Sequence, residues 1–310
     1  MPKVSIIIPN YNHAPFLKQR IDSVLSQTFQ DFEVIILDDC SRDNSKQIIE
    51  EYRNHPKVST ILYNEINSGT TFKQWNKGFG LAKGEYIWIA ESDDWADSKF
   101  LEILILEIEK DKELGLIFCD SYLVEQNGEI RNTSVNNNLE EYCNNGKQEI
   151  IKNFIDGTAI NNVSAVVFRK EKVFEAGLAP ENFKLAGDWF FYVKLLLISD
   201  IRFVAKKLNY FRQHHQSVRH QTSWFRFNYE KLQILYTLSS ALPEKEVLKE
   251  KIRLSAFDWS RLFNFYLKTR KIKLLLKEGF QTPSFIIKQD FNLGFKIWIR
   301  FISLFLKLQS

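Results

Sequence analysis

Over the first 120 residues, short aliphatic and β-branched runs alternate with segments whose apolar residues return every three or four positions. The runs Val4–Pro9, Glu33–Leu37, Val58–Tyr63, Tyr86–Ala90 and Leu116–Cys119 predict strands. The periodic segments Leu17–Ser26, Ser45–Tyr52, Phe72–Ala82 and Lys99–Lys110 predict the helices between them. Such alternation predicts an α/β fold, with a sheet of largely parallel strands covered by helices.

The rhythm breaks at Glu125–Lys147, where Asn136-Asn137-Asn138 and Asn144-Asn145-Gly146 read as a long polar surface excursion. Beyond it the pattern predicts a strand at Ser164–Phe168, a helix from near Asp188 and a short strand before Tyr210. After about residue 221 the chain turns helical and rich in Leu, Phe and Lys, so the expected division is a sheet domain over 1–220 and a helical region over 221–310. No internal repeat is visible.

Composition narrows the class. With 45% hydrophobic and 26% charged residues in 310, disordered, collagen-like and disulfide-scaffold chains are excluded. Cys40, Cys119 and Cys143 cannot all pair with one another, which favours a reducing compartment. Met1-Pro2-Lys3 leads straight into Val4–Ile8 without the pattern of a signal peptide, so a cytoplasmic location is expected. The net charge of +4 is uneven: residues 1–220 carry a balance of −5 and residues 221–310 one of +9. The basic part is therefore expected to meet an anionic surface.

Ligands of open parallel sheets bind where the carboxyl ends of the strands open into a crevice. Here those ends read Pro9-Asn10-Tyr11-Asn12, Asp38-Asp39-Cys40-Ser41-Arg42-Asp43-Asn44-Ser45 and Glu91-Ser92-Asp93-Asp94. Asn44 or Ser45 suits the cap of a following helix, and so does Asp97. Adjacent acids at the end of a buried strand repel each other and are costly to desolvate unless a cation or ligand donors engage them. Hard divalent cations such as Mg²⁺ and Mn²⁺ are held by one or two carboxylates plus substrate phosphates, so a metal-diphosphate site follows, with a solvated turn as the plain alternative.

These elements, together with Ser23-Val24-Leu25-Ser26-Gln27-Thr28 and Asn67-Ser68-Gly69, occur in order over the first hundred residues, and the chain resembles a family 2 glycosyltransferase of the GT-A fold. The resemblance implies inverting transfer of a sugar from a nucleotide-sugar, usually a UDP-sugar, to an acceptor hydroxyl. It implies that Asp39 bonds the base, that Pro9 to Tyr11 pack around the nucleoside, and that Glu91-Ser92-Asp93 is the DXD element, with Glu91 and Ser92 toward the donor and Asp93 on Mn²⁺ or Mg²⁺. Glu at the first position of that element departs from the common form. Asp188 in Gly187-Asp188-Trp189 falls where the family has its general base, although Gly187 replaces the usual preceding acid; capping the next helix is the alternative role. Tyr210-Phe211-Arg212-Gln213-His214-His215-Gln216-Ser217 is similar to an element that implies Arg212 on the diphosphate and His214 on the metal. His215 and His220 are left unassigned, and Trp95 or Trp189, more than Trp75, is a candidate for stacking on sugar.

On a helical wheel of residues 291–308, Asn292, Lys296, Arg300, Ser303 and Lys307 fall in one arc and the remainder is apolar. Charge in mid-segment argues against crossing a bilayer, and two uses of the apolar arc stay open: peripheral contact with the inner face of the plasma membrane beside a lipid-linked saccharide acceptor, or packing against its own domain or in a homodimer. No module for reading nucleic acid is present. The rival readings are a nucleotidyltransferase, which would release pyrophosphate, and a non-catalytic sugar-binding scaffold on the same fold.

Overall fold

A computed structural model of the chain describes residues 1–132, 140–213, 224–268 and 281–306. It divides into two compact units, Met1–Asn182 with Asp188–Ser217, and Phe183–Gly187 with Val218–Ser310.

In the first unit, four parallel strands are laid side by side in the order β3-β2-β1-β4: β1 (Val4–Asn10), β2 (Phe32–Asp38), β3 (Val58–Tyr63) and β4 (Tyr86–Ile89). Every residue of β1, β2 and β4 is buried, which explains why these strands read as unbroken apolar runs. The helices between them are α1 (Ala14–Leu25), α2 (Ser45–Glu50) and α3 (Thr71–Leu81), followed by the two-residue β5 (Trp95–Ala96) and α4 (Phe100–Ile108). Leu17, Ile21 and Val24 of α1 and Phe100, Leu101 and Leu104 of α4 share one core with Ile6, Ile8, Val34, Ile36 and Trp88. Truncating any such side chain to Ala costs about 2–5 kcal/mol.

The far half of the sheet departs from the parallel expectation. β9 (Val166–Arg169) enters between β4 and β6 (Leu114–Val124) and runs antiparallel to both, while β10 (Asp200–Arg212) pairs parallel with β6 and antiparallel with β5. β6 and β10 are much longer than their apolar cores suggest, because polar residues such as Asp120, Ser121 and Asn209 are buried within them. The described parts of the excursion after residue 125 hold regular structure that its composition does not imply. β7 (Ile130–Asn132) pairs with β6, β8 (Tyr142–Asn144) pairs with β10, and α5 (Gly146–Glu149) follows. Long-range ladder partners, invisible to local pattern, capture these polar residues. α6 (Lys170–Glu175) and α7 (Gly187–Leu196) complete the order.

The second unit is helical: α8 (Trp224–Ala241), α9 (Lys245–Lys268), α10 (Gln281–Gln289) and α11 (Phe291–Leu306). Among its described residues Glu230 is fully enclosed, and its carboxylate accepts the backbone N–H groups of Lys184, Leu185 and Ala186 at 2.7, 2.9 and 2.8 Å and Arg226 Nε at 2.6 Å. α11 turns Gly294 and Ile297 inward, with Gly294 so close to Ile287 that a Cβ would clash. Part of the apolar arc is thus spent on packing within its own unit, yet Phe291, Phe295 and Ile299 stay exposed beside Lys296. The side chains of Arg300 and Ser303, and Lys307 altogether, lie outside the described residues. Among the described residues, no helix is long and apolar enough to cross a membrane.

Candidate active site

The carboxyl ends of β1, β2 and β4 are stitched together by side chains. Asn10 donates to Asp38 Oδ2 at 2.8 Å, and Asp38 Oδ1 accepts the Ser41 N–H at 2.9 Å. Asn12, at φ 56°, accepts Arg42 N–H at 2.7 Å and gives its own N–H to Ser41 Oγ at 2.9 Å. Asp43 accepts Ser45 N–H at 3.0 Å and, across the two loops, Ala14 N–H at 2.9 Å. Asn44, one of the two expected residues, holds the N-cap position of α2, but its side chain makes no cap bond, and Asp43 supplies the acceptor for the Ser45 N–H. Pro9 is buried beneath this lacing, and Tyr11 stands partly exposed above it.

Asp39 is the hub of the β2 tip. Its Oδ1 accepts Asn64 Nδ2 at 2.6 Å, Ser68 N–H at 2.8 Å and Gln74 Nε2 at 2.8 Å, while Oδ2 accepts the Ser68 hydroxyl at 2.7 Å. The Asn64–Thr70 segment, turned by Gly69 at φ 83°, is thus wrapped around one carboxylate. Asp39 Oδ2 keeps room for a further donor, since a carboxylate oxygen can accept twice.

At the β4 tip, Glu91 to Asp94 form a turn closed by Asp94 N–H to the Glu91 carbonyl at 3.2 Å. Glu91 Oε1 accepts the Trp75 indole N–H at 2.7 Å. Close packing around this carboxyl group, with the Asp93 charge beside it, pushes Glu91 up to about 8. Asp94 is buried and is likewise held above the carboxylate range, first by burial and then by Asp93. Its oxygens face inward: Oδ1 accepts Arg212 N–H at 2.9 Å and Oδ2 accepts Asn162 Nδ2 at 2.8 Å. Ser92, expected toward the donor, is instead buried with its hydroxyl 2.8 Å from His13 Nδ1, because the turn rolls it toward α1.

Arg212, expected on the diphosphate, has a buried guanidinium engaged at every nitrogen: Nε on the Asp93 carbonyl at 2.8 Å, Nη1 on the Gln126 carbonyl at 2.6 Å and Nη2 on Gln19 Oε1 at 2.7 Å. The Phe16 and Trp95 rings lie on it at 4.6 and 4.7 Å. Trp95 in turn stacks on Tyr210 at 4.7 Å. Trp189 is core, with its indole N–H on the Phe154 carbonyl at 2.9 Å. His214, His215 and His220 lie outside the described residues.

Asp188 opens α7 and accepts the N–H of Trp189 at 2.7 Å. One turn on, the fully buried Tyr192 phenol is raised well above its ordinary value, by burial and then by the charges of Asp188 and Glu91. Tyr192 thus marks the neighbourhood that α7 and the β4 tip share. Consecutive residues of α3 unite the other two tips, with Gln74 on Asp39 and Trp75 on Glu91. Trp75 is a lesser stacking candidate in the sequence, and no local pattern identifies Gln74, Asn64, Asn162 or His13 as site residues. Asn67-Ser68-Gly69 is among the elements that carry the family resemblance.

Whether a cation fits follows from the donor set. Among the described residues, no group of three or more His, Cys, Asp and Glu side chains forms a metal cage. With Asp94 turned inward, Glu91 and Asp93 are the carboxyl groups of the turn whose oxygens would serve as hard donors to a cation. That matches a Mg²⁺ or Mn²⁺ site completed by substrate oxygens.

The model of the family described as glycosyl transferase family 2 matches residues 5–170, more than half of the chain. An uncharacterized glycosyltransferase of Methanocaldococcus jannaschii is 34% identical over 131 residues, 42% of this chain and 45% of that protein. The chain spans less than half the length of the first curated relatives it matches. Among solved structures, residues 1–349 of Staphylococcus aureus TarS in complex with UDP-GlcNAc align with a TM-score of 0.71 and 24% identity, covering 92% of this chain and 81% of that one. The mannosyltransferase PcManGT from Pyrobaculum calidifontis, in complex with GDP-Man and Mn²⁺, aligns with a TM-score of 0.57 and 14% identity over 98% and 87% of the two chains. The fold is GT-A.

Proposed function

The chain belongs to glycosyl transferase family 2, and from that premise we propose that it moves a sugar from a nucleoside-diphosphate sugar to an acceptor hydroxyl with inversion at the anomeric carbon. The observation that carries this reading is the bridging of both acidic strand tips by adjacent residues of α3, Gln74 on Asp39 and Trp75 on Glu91. One tip would receive the base of the donor, with Pro9 and Tyr11 beside it and Asp39 Oδ2 as acceptor. The other would receive the diphosphate, with Glu91 and Asp93 as oxygen ligands of Mn²⁺ or Mg²⁺. When bound, such a cation neutralises charge on the departing nucleoside diphosphate. Buried Ser92 and Arg212 support the turn rather than touch the donor. His214 stays a proposed further ligand.

Asp188 is the proposed general base. An acceptor hydroxyl is a poor nucleophile, and a positioned carboxylate within hydrogen-bond reach contributes about 10²- to 10⁴-fold by taking its proton as the new C–O bond forms. TarS, whose structure holds UDP-GlcNAc, supports a UDP-sugar as the first donor to test, and PcManGT supports Mn²⁺ as the first cation.

Exposed Phe291, Phe295 and Ile299 beside Lys296, within a strongly basic region, support peripheral contact with an anionic membrane surface on the cytoplasmic side. That location suits a lipid-linked saccharide acceptor. The test is product analysis with UDP-, GDP- and dTDP-sugars and Mn²⁺: release of the nucleoside diphosphate together with a glycosylated acceptor is the expected result. Pyrophosphate release from a nucleoside triphosphate would favour a nucleotidyltransferase, and inactivity toward every donor and acceptor pool would favour a sugar-binding scaffold.

A further inference from the structure

Two guanidinium groups far apart in the sequence, Arg20 and Arg212, grip the Glu91–Asp94 turn. Arg20 of α1 is fully buried; its Nε donates to the Glu91 carbonyl at 2.8 Å, and its Nη2 lies 3.9 Å from Asp94 Oδ2. Arg212, at the end of β10, donates its Nε to the Asp93 carbonyl, also at 2.8 Å. The first and third carbonyls of the turn are therefore each held by one arginine. Asp94 joins the two, accepting the Arg212 N–H and facing Arg20.

The arrangement is costly by itself. Neither Arg20 Nη1 nor Nη2 has a hydrogen-bond partner, although both are buried. Burying such a group is unfavourable unless nearby opposite charge compensates it. The carboxyl groups crowded into this turn supply the compensation, with Asp94 Oδ2 3.9 Å from Arg20 Nη2. Arginine suits the task because its planar fork binds a carbonyl while its charge faces an acid, a geometry that lysine's single ammonium does not reproduce.

We propose that Arg20 and Arg212 are positioning residues for the cation-binding turn: by holding the Glu91 and Asp93 carbonyls they set the direction in which the Asp93 side chain leaves the backbone. They also provide the buried positive charge that lets three acids share four residues. The proposal rests on the reading of Asp93 as a cation ligand.

The test uses the full chain with Arg20→Lys and Arg212→Lys, which keep the charge and lose the fork. Mn²⁺ binding in the presence of UDP is followed by electron paramagnetic resonance, UDP binding without metal by calorimetry, and the turn by hydrogen exchange of amides 91–94. Both variants should bind Mn²⁺ about 10- to 100-fold more weakly, keep wild-type affinity for UDP alone, and exchange the turn amides faster. A general loss of structure would instead weaken both affinities together. Wild-type Mn²⁺ affinity and wild-type exchange in both variants would overturn the proposal. Should Arg20→Lys fail to fold, Arg212→Lys carries the same comparison. If wild type binds no Mn²⁺ while Asp93→Asn behaves identically, the cation reading falls, and the exchange arm alone then decides the clamp: accelerated exchange upholds it and unchanged exchange refutes it.

Discussion

The tips of β2 and β4 both end in adjacent acids, yet their surroundings are opposite. At β2, Asp39 receives four hydrogen bonds from Asn64, Ser68 and Gln74. At β4, the indole of Trp75 is the closest donor to Glu91, at 2.7 Å, and Glu91 is driven up to about 8 by burial and by Asp93. One carboxylate is largely satisfied by the protein, with room left on Oδ2 alone, whereas the other cluster holds less charge at neutral pH than its formula suggests. A satisfied carboxylate fixes geometry before a ligand arrives; a crowded set of oxygens gains most from a cation that relieves the crowding.

The contrast can be broken most severely at Asp93. Asp93→Asn should lower metal-dependent turnover by about 10²- to 10³-fold, the scale of losing a group that stabilises developing charge, while leaving the melting midpoint almost unchanged. Saturation kinetics over a Mn²⁺ series, with a parallel thermal melt, would check it; a variant as active as wild type would remove Asp93 from the site. Asp188→Asn should leave donor and metal binding intact and lower kcat by about 10²-fold or more, as read by single-turnover transfer at saturating donor.

At β2 the larger consequence should fall on the fold. Asp39→Ala leaves Asn64, Ser68 and Gln74 donors without their acceptor and should destabilise the chain by about 3 kcal/mol, measured by urea unfolding. Donor affinity should drop as well. Glu91→Gln should go the other way, because it removes one of three crowded acids: the metal-free protein is expected to melt about 2 °C higher, with Mn²⁺ affinity reduced. A fall in that midpoint would show that Glu91 is as well satisfied as Asp39, and the contrast between the tips would vanish. The smallest effect expected is that of Trp75→Phe, about 1 kcal/mol from one hydrogen bond, with a few-fold change in the Mn²⁺ requirement.

Much of the near half of the sheet was legible because buried parallel strands are continuous apolar runs, as at Ile6–Ile8 and Val34–Leu37. The far half was harder: β10 extends through Lys206, Lys207 and Asn209, and its length depends on pairing with β6, as Asn209 does with Ser121, 88 residues earlier in the chain. Among the site residues, acids at strand ends were legible as a class. Their individual directions were not. Asp94 and Ser92 turned inward toward Asn162, the Arg212 backbone and His13, and Arg212 became part of the turn's support. Asp43, just before the Asn44 N-cap, supplies the acceptor for the Ser45 N–H and also accepts the N–H of Ala14 at the start of α1.

Local chemistry along the chain was enough to determine which segments become buried strands and that three of their ends carry concentrated oxygen ligands, since both properties are written in neighbouring residues. Which of those oxygens are already occupied was decided by tertiary structure alone. Their donors, Gln74 for Asp39, Trp75 for Glu91 and Asn162 for Asp94, arrive from 35, 16 and 68 residues away. A hydrogen bond is a statement about distance and angle in space, and chain order does not carry it.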